Sequence, residues 1–402
     1  ADRGGAAHAT GDIEGLTGRE IYGAGMYPPP AGEHLTSEQA RELDDTFLSS
    51  DPFGYFRSRI ASLLAWQENA PVGDSPLPTA VAGDIRAEFN HFLRRPAADG
   101  PFRDLDVHAQ VAADALSLRH HAAEALVRLT CARLAPVSLA GAPCLWVQIV
   151  DGPRWASDVS QRLSDFSSST DAGERMLRAL VPPDELEAAQ SSAEVVDAAN
   201  VMVSWLQYAV DLLTPAEIDL QAAHNKVKHG LAVRARADMR ITFSTRGPND
   251  SGEVPLSALS GDGAIDIFDQ PVLELLAHAP AAGRRRGGLE ATQVRIKPSA
   301  VLAETFMMAM MHGALFHVAA AEHFAGREDL REHHLIPAHP GWPVGGPRPE
   351  HIDAGASLGM RHALTTPGDG SPPRPTGIGF RDGFLEMAVN YEGRMQGRVV
   401  DG

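Results

Sequence analysis

The stretch from Asp104 to Leu134 constrains the fold more than any other. Leu105, Val111, Ala115, Leu118, Ala122, Leu126 and Leu129 recur largely at three- and four-residue steps, the spacing that lines one side of an α-helix. Pro136 ends the pattern, because proline lacks an amide donor and its ring clashes with the turn before it. An apolar stripe this long is stable only when other helices cover it.

Candidate covers are plentiful. Thr36-Ser37-Glu38 opens a helical pattern to about Ser49, and Phe53 to Asn69 continues it with Phe56, Ile60, Leu63 and Leu64 in phase. Val81 to Leu93 reads the same way, as do the shorter runs Asp158–Phe166, Ala172–Leu180 and Pro183–Gln190. Ala193 to Leu213 is a second long helix, with Val196, Val203, Leu206 and Val210 as its apolar seam. Thr214-Pro215-Ala216-Glu217 has the form of a capping box and predicts a helix to His229, ended by Gly230. Leu145 to Val150 suits either a short strand or a buried helical turn.

Beyond Gly230 the pattern changes. Met239–Phe243 and Ala291–Lys297 alternate as strands do, on either side of a loop-like stretch from Gly247 to Gly263. Pro298-Ser299 begins a third long helix, to about Phe324. Residues 337–380 are crowded with Pro and Gly, which predicts an extended or partly disordered segment, and Phe384 to Val400 predicts one strand pair. The expected fold is mainly α, a helical bundle with a small β insertion and a Pro/Gly-rich C-terminal region. Its expected parts are an irregular arm (1–35), a helical domain (36–230), the β insertion (231–298), a long helix on the bundle (299–336) and an extended tail (337–402).

The 402 residues are enough to bury a substantial core. A formal charge of −17 disfavours non-specific binding to nucleic acid, so any such contact needs a local basic island. Two cysteines, Cys131 and Cys144, are too few for a disulfide framework. With no uninterrupted apolar run of membrane-spanning length and no apolar core in the first residues, the expected place is the cytoplasm, with no membrane partner.

One island does exist. Between 215 and 246, Lys226, Lys228, Arg234, Arg236, Arg240 and Arg246 stand against Glu217, Asp219 and Asp238. Within it, His224-Asn225-Lys226-Val227-Lys228-His229-Gly230 places amides, imidazoles and ammoniums together at the end of a helix. Gln221, Asn225 and His229 share one stripe there, and His224 and Lys228 share the next. A solvated helix end is the plain reading of such a face; contact with a phosphate is the functional one.

This string, together with Leu118-Arg119-His120-His121-Ala122-Ala123-Glu124-Ala125-Leu126, resembles degenerate members of the HEPN superfamily over about residues 105–230, roughly a third of the chain. The resemblance implies a helical bundle that works as a dimer and acts on RNA without a metal. It places His229 as the base that assists the ribose 2′-hydroxyl and Asn225 at the motif's polar position. His224 stands where the family carries an arginine that holds the phosphate. Lys226 and Lys228 would bind the anion. An imidazole binds phosphate only when protonated, whereas a guanidinium is always charged, so the replacement predicts weak or absent ribonuclease activity.

Other motifs are weaker. Arg103 and His108 repeat the family's Arg-to-His spacing at the start of the long helix, where the family does not place it. His120, His121 and Glu124 have metal-ligand types at helical spacing, but no second Glu-x-x-His element answers them. Met307, Met308, Met310 and Met311, followed by His312, His317 and His323, suit an adaptable core or an oligomer contact. His333, His334 and His339 match no zinc spacing, and Arg284-Arg285-Arg286 reads as a solvated loop. No phosphate loop, dinucleotide fingerprint, nucleophile elbow or His-Glu-x-x-His is present, and no cofactor or metal is expected.

Three functions follow as expectations. One is an RNA-associated or defence-type protein with HEPN-like helices. Another is an interaction protein that forms a homo-oligomer or holds a protein partner. The third is a metal-dependent helical enzyme built on the His-rich helices.

Overall fold

The computed structural model describes residues 32–68, 107–134, 141–153, 156–230, 232–237, 241–244, 264–268, 270–279, 287–330 and 335–387. The predicted N-terminal arm up to residue 31, the helix at 81–93, the 247–263 loop, the arginine run at 284–286 and the end of the tail lie outside them.

Two long helices form the centre. One is α3 (Val107–Leu134) and the other α10 (Pro298–Phe324), and they lie along each other. The first is buried on nearly every side: Val111, Ala115, Leu116, Ala122, Leu126 and Leu129 are all closed off from solvent. Small alanines on α3 let its neighbours approach closely, and Met308, Met311, Leu315 and Phe316 of α10 fill the space between. The methionine run is therefore core. By length and hydropathy α10 is able to cross a membrane, yet 72% of its most apolar window is buried inside the fold.

Around this pair stand α1 (Ser37–Leu48), α2 (Pro52–Glu68), α4 (Leu145–Val150), α5 (Ala156–Ser167), α6 (Ala172–Leu180), α7 (Leu186–Ser191), α8 (Ala193–Leu213) and α9 (Leu220–Lys228). The predicted start of α1 is present as a capping box: Gln39 N donates to Thr36 Oγ1 at 3.2 Å, and Thr36 N donates to Gln39 Oε1 at 2.9 Å. Leu145–Val150 takes the helical of its two predicted forms.

The expectation of a mainly α bundle is overturned. A six-stranded antiparallel sheet runs β1 (Val233–Arg236), β4 (Val272–His278), β5 (Leu289–Arg295), β6 (Ser357–Ala363), β7 (Gly377–Phe380) and β8 (Gly383–Glu386), in that spatial order. A separate hairpin pairs β2 (Ile241–Ser244) with β3 (Ala264–Phe268). The fold is mixed α and β rather than all-α. Strands from before and after α10 pair directly, since β5 lies against β6 with Thr292 opposite Arg361. Leu273, Leu275, Val294 and Ile296 join the helical core, so sheet and helices share one interior.

The sequence pattern hid β6 for a physical reason. Its buried face carries Ser357, Gly359, Arg361 and Ala363, and that of β5 carries Glu290, Thr292 and Val294. Ion pairs and backbone contacts, not apolar alternation, hold this layer. Arg361 is buried, pairs with Glu217, and donates to the carbonyls of Glu217 at 2.9 Å and Pro375 at 2.8 Å. Arg374 holds Glu290 through two bonds of 2.9 and 2.8 Å. The glycines allow close approach, and a Cβ on Gly359 would collide with the Gln293 carbonyl of β5.

Two further expectations need correction. The helix after α8 begins at Leu220, not at Pro215, because Arg361 takes up the Glu217 carboxylate; Asp219 is the cap instead, its Oδ1 accepting from Ala222 N at 2.7 Å. Within α8, Leu206 and Val210 face the core as expected, but Val196 and Val203 stay 40% and 38% exposed.

Candidate functional site

The site builds outward from α9. Ala223 and His224 face inward, while Asn225, Lys228 and His229 lie on the solvent side. Gln221 Nε2 donates to Asn225 Oδ1 at 3.3 Å, and His229 N donates to the Asn225 carbonyl at 2.9 Å as the helix closes. Gly230, at φ 138°, turns the chain toward β1. The expected trio is thus divided. Asn225 and His229 share the open face, whereas His224 turns a flank away from them and packs on α3.

His224 stacks on His120, with ring centres 4.9 Å apart and planes 7° from parallel. His120 Nδ1 lies 2.9 Å from the Leu116 carbonyl, which makes it the donor and leaves Nε2 as the acceptor. That Nε2 and His224 Nδ1 are buried without hydrogen-bond partners among the described residues. Burial holds both rings below the ordinary histidine pKa. For His120 the neighbouring Arg119 charge adds to the effect; for His224 the Glu124 carboxylate opposes it while Lys228, His121 and His229 reinforce it. Both are neutral at pH 7, so neither supplies the fixed positive charge that the arginine of a HEPN nuclease gives.

A wider face joins α2, α3 and α9. His121 sits at its middle, with Tyr55 edge-on at 5.7 Å and Phe56 at 5.4 Å. Burial lowers the His121 pKa, Glu124 raises it, and Lys228 and Arg59 lower it, which places all three charges around one ring. Beneath, His312 of α10 is enclosed against Phe56 and Phe316, and burial with the His121 charge pushes its pKa down to about 4. Tyr55 keeps 46% of its surface exposed. Lys226 and Lys228 make no ion pair among the described residues. Past Gly230, Arg234 and Arg236 lie 3.9 and 3.8 Å from Glu274 across the β1–β4 pair, beside an open groove that Lys226 also lines.

The metal reading gains nothing from this arrangement, since among the described residues no three His, Cys, Asp or Glu side chains converge on a point. His108 is exposed at the start of α3, and its would-be partner Arg103 lies outside the described residues, as do His333 and His334. His317 Nδ1 meets the Pro337 carbonyl at 2.7 Å, and His323 Nε2 meets Asp45 at 2.6 Å. His339 packs by Trp342. Cys131 and Cys144 are buried free thiols whose pKa burial raises to about 11.

Sequence reasoning missed Tyr55 and Arg59. They are one turn apart on α2, and their distance in sequence from 224–229 hid their shared face. It also missed a buried ionic chain in which Arg119 Nη1 donates to Glu304 Oε2 at 2.8 Å and Arg381 Nη2 donates to Glu304 Oε1 at 2.9 Å. The available signal was Glu304 itself, the one charged residue in the first half of α10, because such a group is buried only with a partner. Comparison with known proteins returns no match: no family model fits the chain, and neither a curated protein nor a solved structure is similar enough to serve as a relative.

Proposed function

We propose that the α2–α3–α9 face is a contact surface for single-stranded RNA that performs no strand cleavage. The observation that carries this reading is the grouping of a half-exposed aromatic ring, Tyr55, with Arg59, His121 and Lys228, which makes no ion pair among the described residues. Stacking platforms among cations suit single strands, whose bases are free to leave one another. A phosphate positioned by Lys228 would lie beside Asn225 and His229, the two expected site residues on the open side. Cleavage would need a second cation close to that phosphate, and His224 is held neutral by burial. Two free, buried thiols suit a reducing compartment, which agrees with a cytoplasmic location.

Fluorescence anisotropy with a labelled twelve-nucleotide RNA tests this. Binding at 50 mM salt should weaken steeply by 200 mM. Lys228→Glu should weaken it further and flatten the salt dependence. Tyr55→Ala should lower affinity by about tenfold, within the roughly 1–3 kcal/mol of one stacked base. The RNA should stay intact with wild type and with His229→Ala alike. Absence of binding at 50 mM salt, or cleavage that His229→Ala abolishes, would sink the proposal.

A second reading rests on α8. Val196 and Val203, two turns apart with exposed Asn200 between them, place two apolar side chains on its outer face, which suits a protein partner or a second copy of the chain. Light scattering of wild type against Val196→Asp/Val203→Asp distinguishes the copy: a wild-type monomer excludes it.

A further inference from the structure

On residues separate from the RNA-facing set lies a cleft of about 300 Å³. Tyr208 and Leu212 of α8, Ile218 of the link to α9, Leu358 of β6, and Phe380 and Phe384 of the last hairpin give it apolar walls. Its volume is at the lower end of the range for small-molecule sites, about 300–1,000 Å³. Such sites pair an apolar body with a few placed polar groups, and here the placed group is Arg381.

Arg381 is anchored but not satisfied. Nη2 donates to Glu304 at 2.9 Å and to the Ile352 carbonyl at 3.4 Å, and the guanidinium lies over the Tyr208 ring at 4.7 Å. Nη1 is buried and has no hydrogen-bond partner among the described residues. Glu304 cannot neutralise it fully, because the same carboxylate also holds Arg119, which is 4% exposed and whose Nε is likewise unpartnered. Behind them a recess of about 30 Å³ brings Arg295 and Lys297 beside Asp353. An N–H left over on a guanidinium beside apolar walls favours an anion as its acceptor. On the other side, Asp211 and Glu217 line the cleft and disfavour a ligand with more than one negative charge.

We propose that this cleft binds a small monocarboxylate with an apolar body, an aromatic or medium-chain acid, whose carboxylate accepts from Arg381. Gly383 offers a clean way to close the site. It lines the cleft, nothing lies within 4 Å of where its Cβ would stand, and its φ is not in the left-handed region. A side chain added there leaves the backbone without a clash at its Cβ.

Isothermal titration of the full chain with 3-phenylpropionate and with octanoate, against 3-phenylpropan-1-ol as the neutral counterpart, decides the matter. At least one acid should bind one-to-one, and 3-phenylpropionate at least tenfold more tightly than the alcohol. Gly383→Leu should abolish binding. Arg381→Met should weaken the acid at least tenfold and leave the alcohol unchanged; in that variant Glu304 still pairs with Arg119. Thermal midpoints of both variants report whether they fold. If either does not, the acid-to-alcohol comparison on wild type still stands as the test. No saturable binding of either acid at millimolar concentration, equal binding of the acid and its alcohol, or binding that survives in a folded Gly383→Leu overturns the proposal.

Discussion

Charging an imidazole inside a protein costs free energy, and among the described residues three are buried: His120, His224 and His312. Each has a folded-state pKa below its unfolded value, through burial first. The unfolded chain therefore takes up protons near the ordinary histidine pKa while the native state resists them. Stability is full above about pH 6.5 and falls as pH drops through the window toward the lowered values. For His312, whose pKa falls to about 4, the loss is on the order of 3 kcal/mol by pH 4. Urea midpoints measured at pH 7.5 and pH 5 should therefore differ more in wild type than in His312→Leu. Equal pH sensitivity in the two proteins would count against this account.

At the scale of elements, what the sequence made legible depends on how each element is held. Helices α3, α8 and α10 bury apolar stripes, so their periodicity exposed them, and Ala193–Leu213 matched its predicted bounds. Strands β6 and β7 are held by Arg361, Thr376 and close-packed glycines, which leave no alternating signal. The candidate site was legible where it lay within one helix, in Asn225, Lys228 and His229. It was hidden where α2 contributes Tyr55 and Arg59, because only tertiary packing brings those residues to His121. The inward turn of His224 was equally hidden, since helical spacing gives angular separation but not which side meets the core. The dependence of β6 on Arg361 leads to a measurable outcome. Arg361→Met removes the donor from the Glu217 and Pro375 carbonyls, at about 0.5–1.5 kcal/mol for each hydrogen bond lost. Hydrogen exchange of β5 and β6 amides should accelerate well before that of α3; uniform acceleration across both would contradict the assignment.

For the molecule as a whole, one continuous interior joins helices on both sides of α10 with β4 and β5. Trp205 is fully enclosed within it and donates Nε1 to the Pro347 carbonyl at 2.8 Å, tying α8 to the stretch that precedes β6. Unfolding should accordingly be a single event, with tryptophan fluorescence and far-ultraviolet circular dichroism giving the same denaturant midpoint. Two separated midpoints would mean that the sheet and the bundle are independent units. The pairing of β5 with β6 also sets an order of events during synthesis. When β4 and β5 leave the ribosome, the strand that will close their free side has not yet emerged, with α10 and the stretch after it still to follow. At about 5–20 residues per second the growing chain carries an open row of amides and carbonyls for several seconds. A holding chaperone that grips extended segments thus has a defined interval in which to act, and it closes when Ser357–Ala363 emerges.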